Sequence, residues 1–323
     1  MKTNRNSSKH NSILIVLFLI TIATAVVALI NKLIFIYSTA KDYLSSEKSN
    51  TYKWRFGDIS YTREGDGKPI LLIHDLSSSS CNYEWNKVKK TFAKKHTVYT
   101  IDLLGCGKSD KPGITYTNYL YVQLITDFIR TVIGHRVDVI TSGKSSSIAI
   151  MACNLNQDIF DKLIFVNPES FLESRQSPNR KSRFFKFVIE LPIIGTLLYN
   201  ITYNRKNITD ALMVTKYSDP YKVTSDEVNT FHESAHRKGL NSKMLYSSIK
   251  GNYTAIPIEN ALKGIDNSIY IIGGSDYPNI DERMEEYRST NLAVEGTVIK
   301  DTAAYPHMER PEEFAKTVSI FLD

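Results

Sequence analysis

Apolar and polar positions divide the chain into three regimes. Residues 13–30 form an unbroken run without a charged side chain, and Leu33-Ile34-Phe35-Ile36 extends it past Asn31 and Lys32. At ~1.5 Å per residue the run spans the ~30 Å hydrocarbon core of a bilayer. This predicts a short basic N-terminus over 1–12, one transmembrane anchor over 13–36 and a polar linker over 37–53. Ala23-Thr24-Ala25 and Ser38-Thr39-Ala40 resemble signal-peptide cleavage sites. The apolar stretch of a signal peptide, however, runs only about 7–15 residues.

From Trp54 onward, short β-rich runs alternate with helical spacing. Residues 54–56 and 59–62 predict a hairpin around Gly57-Asp58, and 69–74, 98–103, 137–141, 163–167, 268–272 and 296–300 predict strands. Residues 83–93, 119–133, 146–155 and 311–322 predict helices. This alternation implies an α/β fold with a mostly parallel sheet, helices on both faces and a ligand crevice at the strand C-termini. Residues 171–260 break the pattern and predict a helical cap over that crevice, inserted into a core of 54–170 and 261–323.

Composition narrows the classes. With 42% hydrophobic and 23% charged residues, disorder is excluded for most of the chain. Three cysteines are too few for a disulfide framework or a Cys-based zinc site. The net charge of +6 sits almost entirely in the first 53 residues, where seven Lys/Arg face Asp42 and Glu47. The remainder is near neutral and has no basic footprint for nucleic acid. Lys2, Arg5 and Lys9 before the apolar run favour a cytoplasmic N-terminus. The expected location is the cell membrane, crossed once, with the large domain outside the cytoplasm.

The central chemical candidate is Gly143-Lys144-Ser145-Ser146-Ser147, between a strand and a helix. A nucleophile elbow needs this context, because a strained turn lifts a serine above the sheet beside helix N–H groups that hold an oxyanion. An ordinary strand–helix turn with a capping serine is the plain alternative.

Three more segments stand in familiar order: Leu71-Leu72-Ile73-His74-Asp75-Leu76, then Asp102-Leu103-Leu104-Gly105-Cys106-Gly107-Lys108-Ser109, then Ile272-Gly273-Gly274-Ser275-Asp276. With the elbow, they resemble the α/β-hydrolase fold family, serine hydrolase/esterase type, over residues 54–323. The resemblance implies Ser145 as nucleophile, Asp276 as acid, and the Leu76 and Ser146 amides as oxyanion hole. It implies a carboxylic ester as substrate and no cofactor or metal. The family's closing Gly-His-x-Pro-x-x-Glu reads Ala303-Ala304-Tyr305-Pro306-His307-Met308-Glu309 here, so Ala304 stands at the usual histidine. Three readings follow: His307 takes the base role, another base such as a cap histidine serves, or the chain is a pseudo-hydrolase that binds or scaffolds. The apolar segment Leu191-Pro192-Ile193-Ile194 onward suggests an apolar acyl group.

Two other motifs compete. Gly107-Lys108-Ser109 and Gly143-Lys144-Ser145 echo a phosphate loop, but Asp102 and Asp138 stand where that loop needs glycine. His232-Glu233-Ser234-Ala235-His236 matches a zinc-peptidase string, with two polar histidines on a solvated cap helix as the plain alternative.

Overall fold

The computed structural model describes residues 3–46 and 48–322. Helix α1 (Thr3–Thr39) carries the apolar run, whose side chains are largely exposed. Met1 and Lys2 of the basic N-terminus and Glu47 of the linker lie outside the described residues. The rest of the linker is more structured than its polarity suggests. A helical turn occupies Tyr43–Ser46, where Leu44 is buried, and β1 (Asn50–Trp54) already begins at Asn50.

β1 pairs with β2 (Gly57–Glu64) as the expected hairpin, Trp54 opposite Gly57. β3 (Lys68–Ile73), β4 (His96–Ile101), β5 (Val137–Ser142), β6 (Phe160–Val166), β7 (Ile269–Gly274) and β8 (Val294–Ile299) complete the sheet. The strand order is β1-β2-β4-β3-β5-β6-β7-β8. β2 runs antiparallel to β1 and β4, and every other pair is parallel.

The apolar strand runs follow from burial on both faces. Leu71, Ile73 and Val139 pack with helices α2 (Asn118–Phe128) and α3 (Ser145–Leu155). Ile70, Leu72 and Ile140 pack on the opposite side with Trp85, Val88 and Phe314 and Val318 of the last helix, Pro311–Leu322. Each such side chain contributes about 1.5–3 kcal/mol by leaving water.

Every described element between β6 and β7 is helical, as the broken alternation implied. The main cap helices are α4 (Arg180–Glu190), α5 (Ile194–Thr202), α6 (Arg205–Ala211), α7 (Ser225–His236) and α8 (Lys243–Lys250). The last turns of α1 rest on α5 and α7. Asn31, 2% exposed, donates to Ile193 O at 3.1 Å and accepts from Asn200 Nδ2 at 2.9 Å.

Candidate functional site

The strand β5 ends at Ser142, and the chain turns at Gly143 before α3 starts at Ser145. An elbow presents its nucleophile from the strained residue at the tip of the turn. Within that turn the left-handed φ, +54°, belongs to Gly143, so the tip has no side chain. A Cβ there would stand 2.3 Å from Asp75 Oδ1, so a side chain at the tip would require Asp75 to move. Ser145 falls two residues past the tip, inside the first turn of α3. It is fully buried, and its Oγ donates to His74 O at 2.5 Å. The next two serines are also committed: Ser146 Oγ pairs with Thr141 Oγ1 at 2.9 Å, and Ser147 Oγ donates to Glu169.

The turn after β3 fills the space above Gly143. Asp75 Oδ1 accepts the Leu76 amide at 2.8 Å and the Lys144 amide at 3.0 Å. Two backbone N–H groups from these two turns, converging on one anionic oxygen, have the arrangement of an oxyanion hole. Here a carboxylate of the chain itself occupies it. Ser146, expected as the second donor, spends its N–H on Gly143 O at 3.2 Å, so Lys144 supplies that donor instead. Lys216 from the cap donates to Asp75 Oδ2 at 3.1 Å and lies 4.7 Å from the Tyr305 ring centre. Burial alone would raise the Asp75 carboxyl. The Lys216 ammonium and the Lys144 amide outweigh it and hold the group below the usual carboxylate range.

The other expected triad members are not brought together with Ser145. Asp276 lies after β7 as expected but is exposed. It accepts from Ser218 Oγ and, at 2.8 Å, from Ser275 Oγ, and these hydroxyls lower its pKa. His307 is fully buried below the crevice, stacked on Trp85 with ring centres 4.4 Å apart. Its Nε2 lies 3.3 Å from Glu84 Oε1. Among the described residues, no histidine lines the cavity at the tip; the carboxyls that line it include those of Asp75 and Glu169. Ala304 stands at the crevice wall, and its carbonyl and that of Ala303 accept from Asn167 Nδ2 at 3.0 and 2.9 Å. His74 is spent on Asp75 O at 2.7 Å and on the Leu103 amide at 3.1 Å.

The tip faces a cavity of about 150 Å³ lined by Asp75, Gly143, Glu169, Lys216, Ala304 and Tyr305, among others, and a second of about 300 Å³ under the cap shares Lys216 and Tyr305 with it. Small-molecule sites typically enclose ~300–1,000 Å³. Burial raises the Glu169 carboxyl to about 7, against the opposing Ser147 hydroxyl and Lys144 charge. Glu169, Lys216 and Asn167 escaped the sequence reading because no short motif contains them. The apolar segment expected to hold an acyl group does not line this cavity; Ile194 and Leu198 are exposed on α5.

The His232/Glu233/His236 string serves the junction with α1. Glu233 is fully buried, accepts the Tyr43 amide at 2.6 Å and pairs with Arg237 at 2.7 Å. His236 packs on Phe35, with its Nδ1 2.8 Å from His232 O. Among the described residues, no group of three or more His, Cys, Asp or Glu side chains converges to hold a metal ion.

Comparisons with known proteins agree with the sheet and the cap. At 21% identity over 290 residues, the chain is similar to 2-hydroxy-6-oxo-6-(2'-aminophenyl)hexa-2,4-dienoic acid hydrolase of Metapseudomonas resinovorans, covering 87% of this chain and 94% of that protein. It is 31% identical over 111 residues to a soluble epoxide hydrolase of Corynebacterium sp. (strain C12), 33% of this chain and 37% of that protein. A serine hydrolase involved in carbazole degradation superposes with a TM-score of 0.71 at 16% identity, over 85% of this chain and 98% of its own. A membrane phospholipase A superposes with a TM-score of 0.68 at 18% identity, over 97% of this chain and 98% of its own. At such identities the structures establish a shared fold. The model of the alpha/beta hydrolase family matches residues 70–317, most of the chain and every strand from β3 to β8. On that match the chain belongs to the alpha/beta hydrolase family.

Proposed function

We propose that this chain is a membrane-anchored, catalytically silent alpha/beta hydrolase that works as a binding or scaffold protein. The observation that carries this reading is Asp75, whose carboxylate takes both amides facing a side-chain-free tip at Gly143. A serine hydroxyl needs an adjacent base, and the base later protonates the leaving group. With Ala304 at the family's histidine position, no histidine lines the cavity at the tip, and the Asp75 and Glu169 carboxylates there are engaged, Asp75 with Lys216 and Glu169 with Ser147. Relatives with a named activity include a hydrolase of a hexadienoic acid derivative and a soluble epoxide hydrolase. The competing reading, Ser145 attacking an apolar ester with Asp276 and His307, draws no support from the placement of those three residues.

The anchor reading rests on the exposed apolar face of α1 and on its last turns, which the cap holds through Asn31 and Phe35. Cleavage at Ser38-Thr39-Ala40 would remove Asn31 and Phe35 from this junction, whereas cleavage at Ala23-Thr24-Ala25 would keep both. The basic residues ahead of the run support a cytoplasmic N-terminus and a domain on the other side.

The full chain in detergent is assayed with short- and long-chain nitrophenyl esters beside Ser145→Ala. Both are expected to match the buffer background. Turnover by the wild type that disappears in Ser145→Ala would overturn the silent reading.

A further inference from the structure

We infer that the α4–α5 corner of the cap docks on the anionic headgroups of the same leaflet from which α1 emerges. The inference rests on reading α1 as a membrane span. The apolar run of residues 13–30 covers ~27 Å as a helix, close to the hydrocarbon thickness. Asn31 and Lys32 follow it, and Leu33-Ile34-Phe35-Ile36 completes the anchor, so Asn31 lies in the boundary region where α1 leaves the hydrocarbon. Its side chain is bonded in both directions to the cap, through the Ile193 carbonyl and the Asn200 amide. The start of α5 is thereby fixed at the membrane boundary.

The surface at that level is unlike that of a soluble domain. α4 and α5 meet at a bend of 101°. Phe184 and Phe187 on α4 and Ile194 and Ile201 on α5 are each more than half exposed. Four large apolar side chains this exposed on two consecutive helices exceed the scattered singles normal for a surface. Arg180, Lys181 and Arg183 are exposed on the same α4, and none is paired with an acidic side chain among the described residues. Lys186 of that helix, by contrast, is paired with Glu190. Aromatic residues beside unpaired basic ones are the composition of a helix that lies in the headgroup layer. Each basic residue near an anionic surface strengthens its attraction about fivefold. Held at the boundary by Asn31, the corner meets this surface at high effective concentration.

The test uses the full chain reconstituted in vesicles of phosphatidylcholine, with or without phosphatidylserine. Native Cys81, Cys106 and Cys153 are buried, so single reporters can be placed at Phe187→Cys, Ile201→Cys, Leu19→Cys and Leu292→Cys. Leu292 precedes β8, at the edge of the sheet opposite the cap, and serves as the aqueous control. Each variant carries an environment-sensitive dye, quenched from the membrane by nitroxide lipid or from water by iodide.

Lipid quenching at Phe187→Cys and Ile201→Cys, stronger with phosphatidylserine, is the expected result. Replacing Arg180, Lys181 and Arg183 with Glu should reduce it severalfold while leaving Leu19→Cys unchanged. Iodide quenching at the corner with lipid quenching retained at Leu19→Cys would overturn the docking inference and leave the span intact. Shielding of the corner from both quenchers would assign it to a second copy or another protein, and also overturns the inference. Equal lipid quenching in both vesicle types would remove the anionic headgroup from it. Loss of lipid quenching at Leu19→Cys itself would overturn the span reading, and the docking with it.

Discussion

The Asp102 loop and the Gly143 elbow are built from one physical device, used to different ends. In the first, Asp102 accepts the Asn82 amide at 2.7 Å and the Lys108 amide at 2.9 Å. Gly107 packs against it with a φ of +48°, and a Cβ there would lie 2.4 Å from Asp102 Oδ1. In the second, Asp75 accepts two amides beside Gly143, whose φ is +54° and whose Cβ would lie 2.3 Å from Asp75 Oδ1. Each is a buried carboxylate capturing two backbone donors over a left-handed glycine. The Asp102 loop is scaffolding that staples β4 to the turn after β3. At the elbow the same arrangement stands where an elbow would hold a nucleophile and its oxyanion. On the proposed reading, the Asp75 carboxylate on the neighbouring turn stands where that oxyanion would sit.

The two carboxylates are separated by what else they touch, and substitutions sharpen the contrast. The largest effect is expected for Asp102→Ala, which strands two buried amides. Hydrogen bonds to a charged group are worth about 1.5–3 kcal/mol each, so urea unfolding should register a loss of about 3–5 kcal/mol. Asp75→Asn keeps the shape but removes the charge that holds Lys216, and a loss of about 1–3 kcal/mol is expected near neutral pH. Because the folded state lowers the Asp75 pKa, this contribution is complete above the unfolded value near 4. It fades as pH falls through the folded value, so the gap between wild type and Asp75→Asn should close in acid. A constant gap across that range would mean that the charge is not what Asp75 contributes.

Glu169 carries the opposite sign. Its folded pKa, about 7, lies above the unfolded value, so the folded state holds the proton more tightly. Stability should therefore fall as pH rises from about 4.5 to about 7, by about 2–3 kcal/mol, and Glu169→Gln should flatten that slope. The smallest change is expected for Ser145→Ala. It loses one bond to His74 O, worth about 1 kcal/mol in thermal or urea unfolding, with no change in any ligand-binding readout.

The sheet was legible because β-rich apolar runs at 69–74, 98–103 and 137–141 have no reading other than strands buried on both faces. The cap was legible as the place where that alternation stops. The elbow was found, but its tip was set two residues too late. Gly143-Lys144-Ser145-Ser146-Ser147 offers overlapping small-x-small patterns, and residue type does not choose between them. The backbone does: β5 ends at Ser142, so the strained residue is the next one. Asp75 lies within a segment that carries the family resemblance, yet nothing in that segment singles it out. Its decisive property is side-chain reach, which depends on the distance between two turns about 70 residues apart in sequence. His307 illustrates the same limit. It follows Pro306, three residues past the family's histidine position at Ala304, and a buried Trp85 claims its ring from another part of the chain.

The central claim, that the elbow is silent because Gly143 bears no nucleophile and Asp75 fills the oxyanion site, is tested most directly by reactivity toward a fluorophosphonate. The full-length wild type is treated beside a variant combining Asp75→Gly, Gly143→Ser and Ala304→His, with the labelled peptide mapped by mass spectrometry. The wild type is expected to remain unlabelled and the combined variant to be labelled at position 143. Stoichiometric labelling of the wild type at Ser145 would contradict the account.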